Sequence, residues 1–191
     1  MDSRVIKTNN AILEEFIRLL KIEPFSKITV TKICKNVMIS KSTFYSHYLD
    51  KYDLLAKLVR QTVNPIDIII KKRFRMMSLN NEDISEISVV QEIVKNISED
   101  NHIELLLAIH EEQGGNLELE LKKSFFEAAF KQFTLNKRSS LKRSELLAEY
   151  YAANAMVSMK WLLSHESNTE LVEIVSETQD FYNTLFSSGK F

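Results

Sequence analysis

Residues 40–51 read S-K-S-T-F-Y-S-H-Y-L-D-K and gather most of the chain's recognisable binding chemistry into one short stretch. The Lys41 ammonium can donate to guanine O6 and N7, the Ser42 hydroxyl can donate or accept, and the Thr43 methyl can pack on a thymine methyl. Tyr45, His47 and Lys51 supply a phenol, an imidazole and an ammonium, groups suited to phosphate contacts that set register and affinity. Catalysis has less to stand on. The three glycines, Gly114, Gly115 and Gly189, all lie beyond position 113, so no phosphate loop, dinucleotide fingerprint or G-x-S-x-G nucleophile turn can be written. There is no H-E-x-x-H and no recognisable carboxylate pair. His102 and His110, with Glu104, Glu111 and Glu112 nearby, stand two helical turns apart rather than the one turn that chelates, and they read as surface histidines. Cys34 is a lone cysteine that reads as a packed, inert thiol. No metal and no cofactor is expected.

These side chains need a scaffold, and composition narrows its class. With 3 glycines and 2 prolines in 191 residues, folds that turn tightly and often are disfavoured, and the apolar spacing predicts an all-α protein of about nine helices. A first helix from Val5 to about Lys21 carries Leu13, Phe16, Ile17 and Leu20 on one face and stops before Pro24. Thr29 is expected to cap a short helix bearing Val30, Ile33 and Val37, Ser40 another to about His47, and Asp50 a third with Asp53 in its first turn. The two middle helices are too short to stand alone. The set Ile33, Val37, Ile39, Phe44, Tyr48, Leu54 and Leu58 should hold them against the first and fourth. Pro65 is expected to kink or break the fourth helix. The stretch L-E-L-E-L from Leu117 alternates as a strand would, but F-F-E-A-A-F-K-Q-F after it has helical spacing.

Charge divides the chain. Residues 1–60 hold 11 Lys and Arg against 6 Asp and Glu, while residues 61–191 hold 14 against 20, so an overall charge of −1 conceals a basic head and an acidic body. A head that meets a polyanion is the reading this favours over chance clustering of solvated charges. The expected division is a basic helical domain over 1–60 that meets the polyanion and an acidic helical domain over 61–191. No signal-type leader or membrane-length apolar run is evident, and a cytoplasmic protein is expected.

Two short helices joined by a tight turn at Val37 to Ile39, the second opening Ser-Lys-Ser-Thr, form a helix-turn-helix pattern whose second helix would enter a major groove. From Ile28 to Leu55, I-T-V-T-K-I-C-K-N-V-M-I-S-K-S-T-F-Y-S-H-Y-L-D-K-Y-D-L-L resembles, without a gap, the N-terminal domain of the TetR/AcrR family of bacterial transcriptional regulators. The resemblance implies that Lys41, Ser42, Thr43, Tyr45, His47 and Lys51 face DNA together with Ser40, and that Thr31 and Lys32 approach it from the preceding helix. Met38 and Ser42 stand where that family most often has glycine.

In the body, L-L-L-A-I-H-E-E-Q-G-G-N-L and Y-Y-A-A-N-A-M-V-S-M-K-W-L-L resemble the branch of the family that includes the dihydroxyacetone-kinase operon activator. Family members usually pair their last two helices across a two-fold axis. Ala153, Val157, Trp161, Ile174, Thr178, Phe181 and Leu185 are the candidate dimer interface, with filling of the monomer core as the alternative. Phe74, Met77, Leu106, Phe126, Phe130, Tyr150 and Met156 are candidates to line an effector pocket, or else are ordinary core. The expectation is a homodimeric regulator, a repressor in most of the family, that binds a palindromic DNA operator under control of a small-molecule or protein effector. The competing expectation is a helical interaction module that answers to a partner protein and reads no DNA.

Overall fold

The computed structural model describes residues 3–80 (side chains through 75), 90, 92, 93, 103, 106, 116–135 and 140–164. Among them all regular structure is helical: α1 (Ser3–Ile22), a 3-10 turn (Phe25–Lys27), α2 (Val30–Val37), α3 (Lys41–His47), α4 (Lys51–Asn80), α5 (Leu117–Leu135) and α6 (Leu141–Ser164). Six α-helices are thus described, fewer than the nine expected. Val90, Glu92, Ile93, Ile103 and Leu106 are helical too, whereas the expected last helix with Ile174, Thr178, Phe181 and Leu185 lies outside the described residues. None of the described helices is long and apolar enough to cross a membrane.

The chain divides into two compact units, residues 1–63 with 100–117, and residues 64–99 with 118–191. In the first, α1 buries Ile12, Leu13, Phe16 and Leu19, a stripe rotated from the expected one, so that Ile17 and Leu20 are only half-buried. Phe25, Ile28, Ile33, Phe44, Tyr48, Leu54, Leu55 and Leu58 complete this core, while Val37 and Ile39 are half-buried at its edge. Phe16 and Tyr52 each meet Phe25 edge to face, at 6.1 and 5.4 Å between ring centroids.

Pro65 does not break α4, which runs unbroken from Lys51 to Asn80. Proline lacks the amide that would bond the carbonyl four residues back. That carbonyl belongs to Gln61, and both Gln61 and Pro65 are solvent-exposed, so water can serve it. Buried Val63, Ile66, Ile70 and Phe74 anchor the helix on its other side.

The second unit is built around α5 and α6. Leu117 opens a helix rather than a strand, because Leu121, Phe125, Ala128 and Ala129 form one buried stripe. On α6, Ala148, Tyr151, Ala152, Ala155, Met156 and Met159 are buried. Tyr151 sits edge to face with Phe74, 5.2 Å between centroids, and 6.5 Å from Phe125. The ion pair Lys160–Glu118 at 2.6 Å joins the start of α5 to the end of α6, and Lys122–Glu149 at 3.1 Å joins the next turn of α5 to an earlier part of α6, so the two helices run antiparallel.

Candidate nucleic-acid interface

Local capping sets the geometry of residues 29–53. Thr29 Oγ1 accepts from the Lys32 amide at 3.2 Å and starts α2. Ser40 Oγ accepts from the Thr43 amide at 3.0 Å and starts α3. Asp50 Oδ1 accepts from the amides of Tyr52 and Asp53, both at 2.8 Å, and starts α4. Asp53 Oδ2 reaches back to the Leu49 amide at 3.0 Å, which holds its carboxyl below the usual carboxylate range, with the Lys57 ammonium adding to the effect.

The turn from α2 into α3 passes through Met38 in the left-handed region, φ 59° and ψ 42°. Its amide donates to the carbonyls of Cys34 and Lys35, the helix-ending arrangement glycine usually provides. A Cβ in this conformation costs about 1 kcal/mol, and the Met38 side chain, 92% exposed, gains little packing in return. Cys34 is buried, its thiol pushed up by desolvation, and its Sγ lies 3.9 Å from the Ser40 carbonyl.

On α3, Phe44 is fully buried and Tyr48 follows it into the core, which turns Lys41, Ser42, Tyr45 and Ser46 outward. Thr43 and His47 are half-buried. Three hydroxyls meet at the start of the helix: Ser40 Oγ lies 2.8 Å from both Ser42 Oγ and Thr43 Oγ1. Lys41 has no ion-pair partner among the described residues, nor has Lys35, which the sequence reading passed over. Lys35 stands one helical turn after exposed Thr31 on the same face of α2.

Two of the lysines expected at DNA are engaged within the protein. Lys32 Nζ donates to Glu23 Oε2 at 2.7 Å. Lys51 Nζ donates to the carbonyls of Phe25, Ser26 and Ile28 at 3.0, 3.2 and 3.0 Å and stands over the Phe25 ring, 4.5 Å from its centroid. A third lysine, Lys57, does comparable work that the sequence reading missed, although its spacing four residues after Asp53 is a helical ion-pair signal. Its ammonium lies 3.0 Å from Asp53 Oδ2, donates to the His47 carbonyl at 2.8 Å and sits 4.7 Å from the Tyr48 ring centroid. Asn36 Nδ2 ties α2 to α1 through Glu15 at 2.6 Å, and the Arg18 guanidinium beside Glu15 lowers that carboxyl's pKa.

The residues expected around an effector are distributed over both units. Leu106 is buried in the first unit, while Phe74 and Met156 are buried in the second. Phe126 and Phe130, also in the second unit, are half-buried and stack face to face at 5.6 Å, with planes 8° apart. Tyr150 is 52% exposed and points away from the α5–α6 core, because buried Tyr151 and Ala152 occupy the inner face of α6. The Met77 side chain lies outside the described residues. Of the expected dimer residues on α6, Ala153, Val157 and Trp161 are exposed and continue a stripe with Leu146 and Tyr150. They do not fill the core described for the second unit.

Over 63 residues, 32% of its length, the chain is 30% identical to an uncharacterized HTH-type transcriptional regulator, YxbF, of Bacillus subtilis (strain 168). The matched stretch spans 17% of that protein. No family profile matches the sequence. A third of the chain is therefore similar to a helix-turn-helix regulator, in a protein whose described structure is all-helical.

Proposed function

We propose that this chain is a cytoplasmic transcriptional regulator of the TetR/AcrR type, a repressor, that binds a palindromic operator as a homodimer. The observation that carries the reading is the pair α2 and α3. Each opens on a side-chain cap, a left-handed residue joins them, and Lys41, Ser42 and Tyr45 face outward from the second helix. Similarity to a helix-turn-helix regulator over 63 residues supports the same reading.

In this reading Lys41, Ser42 and Thr43 read base edges, while Tyr45, His47, Thr31 and Lys35 approach phosphate. Lys32 reaches DNA only by sharing or leaving Glu23. The exposed stripe Leu146, Tyr150, Ala153, Val157 and Trp161 is the surface that pairs with a second copy, and the operator half-sites then lie about one helical turn apart. An effector held in the second unit, against the half-buried Phe126–Phe130 stack, favours one spacing of the two heads over the other. DNA binding is gained or lost by that differential affinity.

A mobility shift with the DNA upstream of the chain's own gene, at two salt concentrations, tests this. The expected result is a sequence-selective complex that weakens steeply with salt. Absence of a shift at low salt would sink the DNA reading and leave the partner-protein module standing.

A further inference from the structure

We infer that Lys51 and Lys57 are positioning residues, which hold α3 in its DNA-reading pose and do not contact phosphate. This rests on the reading of α3 as the recognition helix. An ammonium has three N–H donors and no more. Those of Lys51 are taken by three backbone carbonyls, of Phe25, Ser26 and Ile28, in the turn that leads into α2. The faces of Phe25 and Tyr52, 4.5 and 5.4 Å from the nitrogen, shield it further. To reach a phosphate, Lys51 would have to abandon all three carbonyls, of which that of Phe25 also accepts the Ile28 amide at 3.1 Å.

Lys57 works at the other flank. It donates to the carbonyl of His47, the last residue of α3, where the helix dipole is negative, and it is held there by Asp53 and the Tyr48 ring. Asp53 in turn holds the Leu49 amide, so one network fixes the whole turn from α3 into α4. Both lysines belong to α4. The helix-turn-helix is thereby fastened to a single long helix at its beginning and at its end. Its own helices, of 8 and 7 residues, are too short to hold an orientation unaided.

Base contacts fail when a recognition helix shifts by a fraction of a hydrogen-bond length, whereas attraction to the phosphate backbone does not. Loss of either lysine therefore lowers affinity for the preferred sequence and leaves non-specific binding in place.

The test uses the full chain, a duplex selected by the wild-type protein from a random pool, and a scrambled duplex of equal length. Both are titrated at several salt concentrations with Lys51→Met, Lys51→Arg and Lys57→Met. The expected result is a loss of roughly tenfold or more on the selected duplex, with affinity for the scrambled duplex and the salt slope unchanged. Lys51→Arg should lose selectivity as Lys51→Met does, because a planar guanidinium cannot point donors at three converging carbonyls. A phosphate contact predicts the opposite: both duplexes weaken for Met, the slope falls by about 0.9, and Arg restores binding. That outcome, or unchanged selectivity in folded variants, overturns the assignment. Should Lys51→Met fail to fold, Lys57→Met and Lys51→Arg decide alone. A wild-type protein that selects no sequence overturns the DNA reading itself, which separates the two failures.

Discussion

The Tyr48 phenol donates a 2.6 Å hydrogen bond to Asn9 Oδ1, joining the residue that ends α3 to the middle of α1 across 39 positions of sequence. Tyr48 is 2% exposed, so its hydroxyl cannot exchange this partner freely for water, while Asn9 is half-buried. Tyr48→Phe keeps the ring and strands the Asn9 acceptor. It should destabilise the head by about 1–2 kcal/mol, read as a lower urea midpoint with unchanged slope.

The same phenol gives the head a pH limit. Burial, with the Asp53 charge adding to it, pushes the Tyr48 pKa up from 10.0 to about 12. Below pH 10 the group is protonated in folded and unfolded chains alike, and its contribution is fully present. Between pH 10 and 12 the unfolded chain releases a proton that the folded chain keeps, so stability falls as pH rises. A loss of up to about 2 kcal/mol is expected across that window. Tyr48→Phe should remove that part of the alkaline decline, and urea unfolding of both proteins at pH 9 and pH 11.5 measures it.

Met38→Gly should raise stability, because glycine takes φ 59° without the Cβ clash. Part of the gain returns as entropy of the unfolded chain, leaving about 0.5–1 kcal/mol net. Met38→Val, branched at the clashing carbon, should move the other way. Thermal unfolding of the two variants with opposite signs would confirm that the turn is strained; equal midpoints would refute it.

Ser40→Ala removes the cap of α3 and should cost about 1 kcal/mol. The same change releases the hydroxyls of Ser42 and Thr43, both bonded to Ser40. Selectivity for the wild-type sequence should therefore fall further than stability does, measured with the selected and scrambled duplexes at a temperature where the variant is fully folded.

Val157 is 67% exposed on α6, so a charge there leaves the described core untouched. If this face pairs two copies, Val157→Glu yields a folded monomer by sedimentation velocity where the wild type is a dimer. A wild-type monomer, or a dimeric variant, removes α6 from the interface.

Caps were the most legible part of the sequence, because Thr29, Ser40 and Asp50 each act on amides two or three residues ahead. The left-handed turn was legible as a question about Met38, since a helix end needs that conformation whichever residue occupies it. Lys51 was not, because its partners lie 23 to 26 residues away and only the fold brings three carbonyls together. The buried face of α1 turned by one residue for a similar reason: Ile12 and Leu19 are chosen by what packs against them, not by spacing alone. Pro65 leaves α4 unbroken for a reason that spacing does not carry: its penalty depends on whether the freed carbonyl can meet water, and Gln61 is exposed. On α6, spacing identified the stripe Leu146 to Trp161, but two apolar faces share the helix and only burial tells the inner from the outer.

The hydroxyl cluster at the start of α3 obeys a proton count. Ser40 has one hydrogen and two lone pairs; one lone pair takes the Thr43 amide, so of its two hydroxyl neighbours it donates to one and accepts from the other. If Ser40 donates to Ser42, then Ser42 keeps its own hydrogen for an outside acceptor and Thr43 presents lone pairs alone. A concerted rotation of the hydroxyls reverses the two. The start of the helix is thus a small hydroxyl chain with two settings of opposite polarity. One setting offers a donor at position 42, the other at position 43, and an outside partner can exchange them without moving a heavy atom.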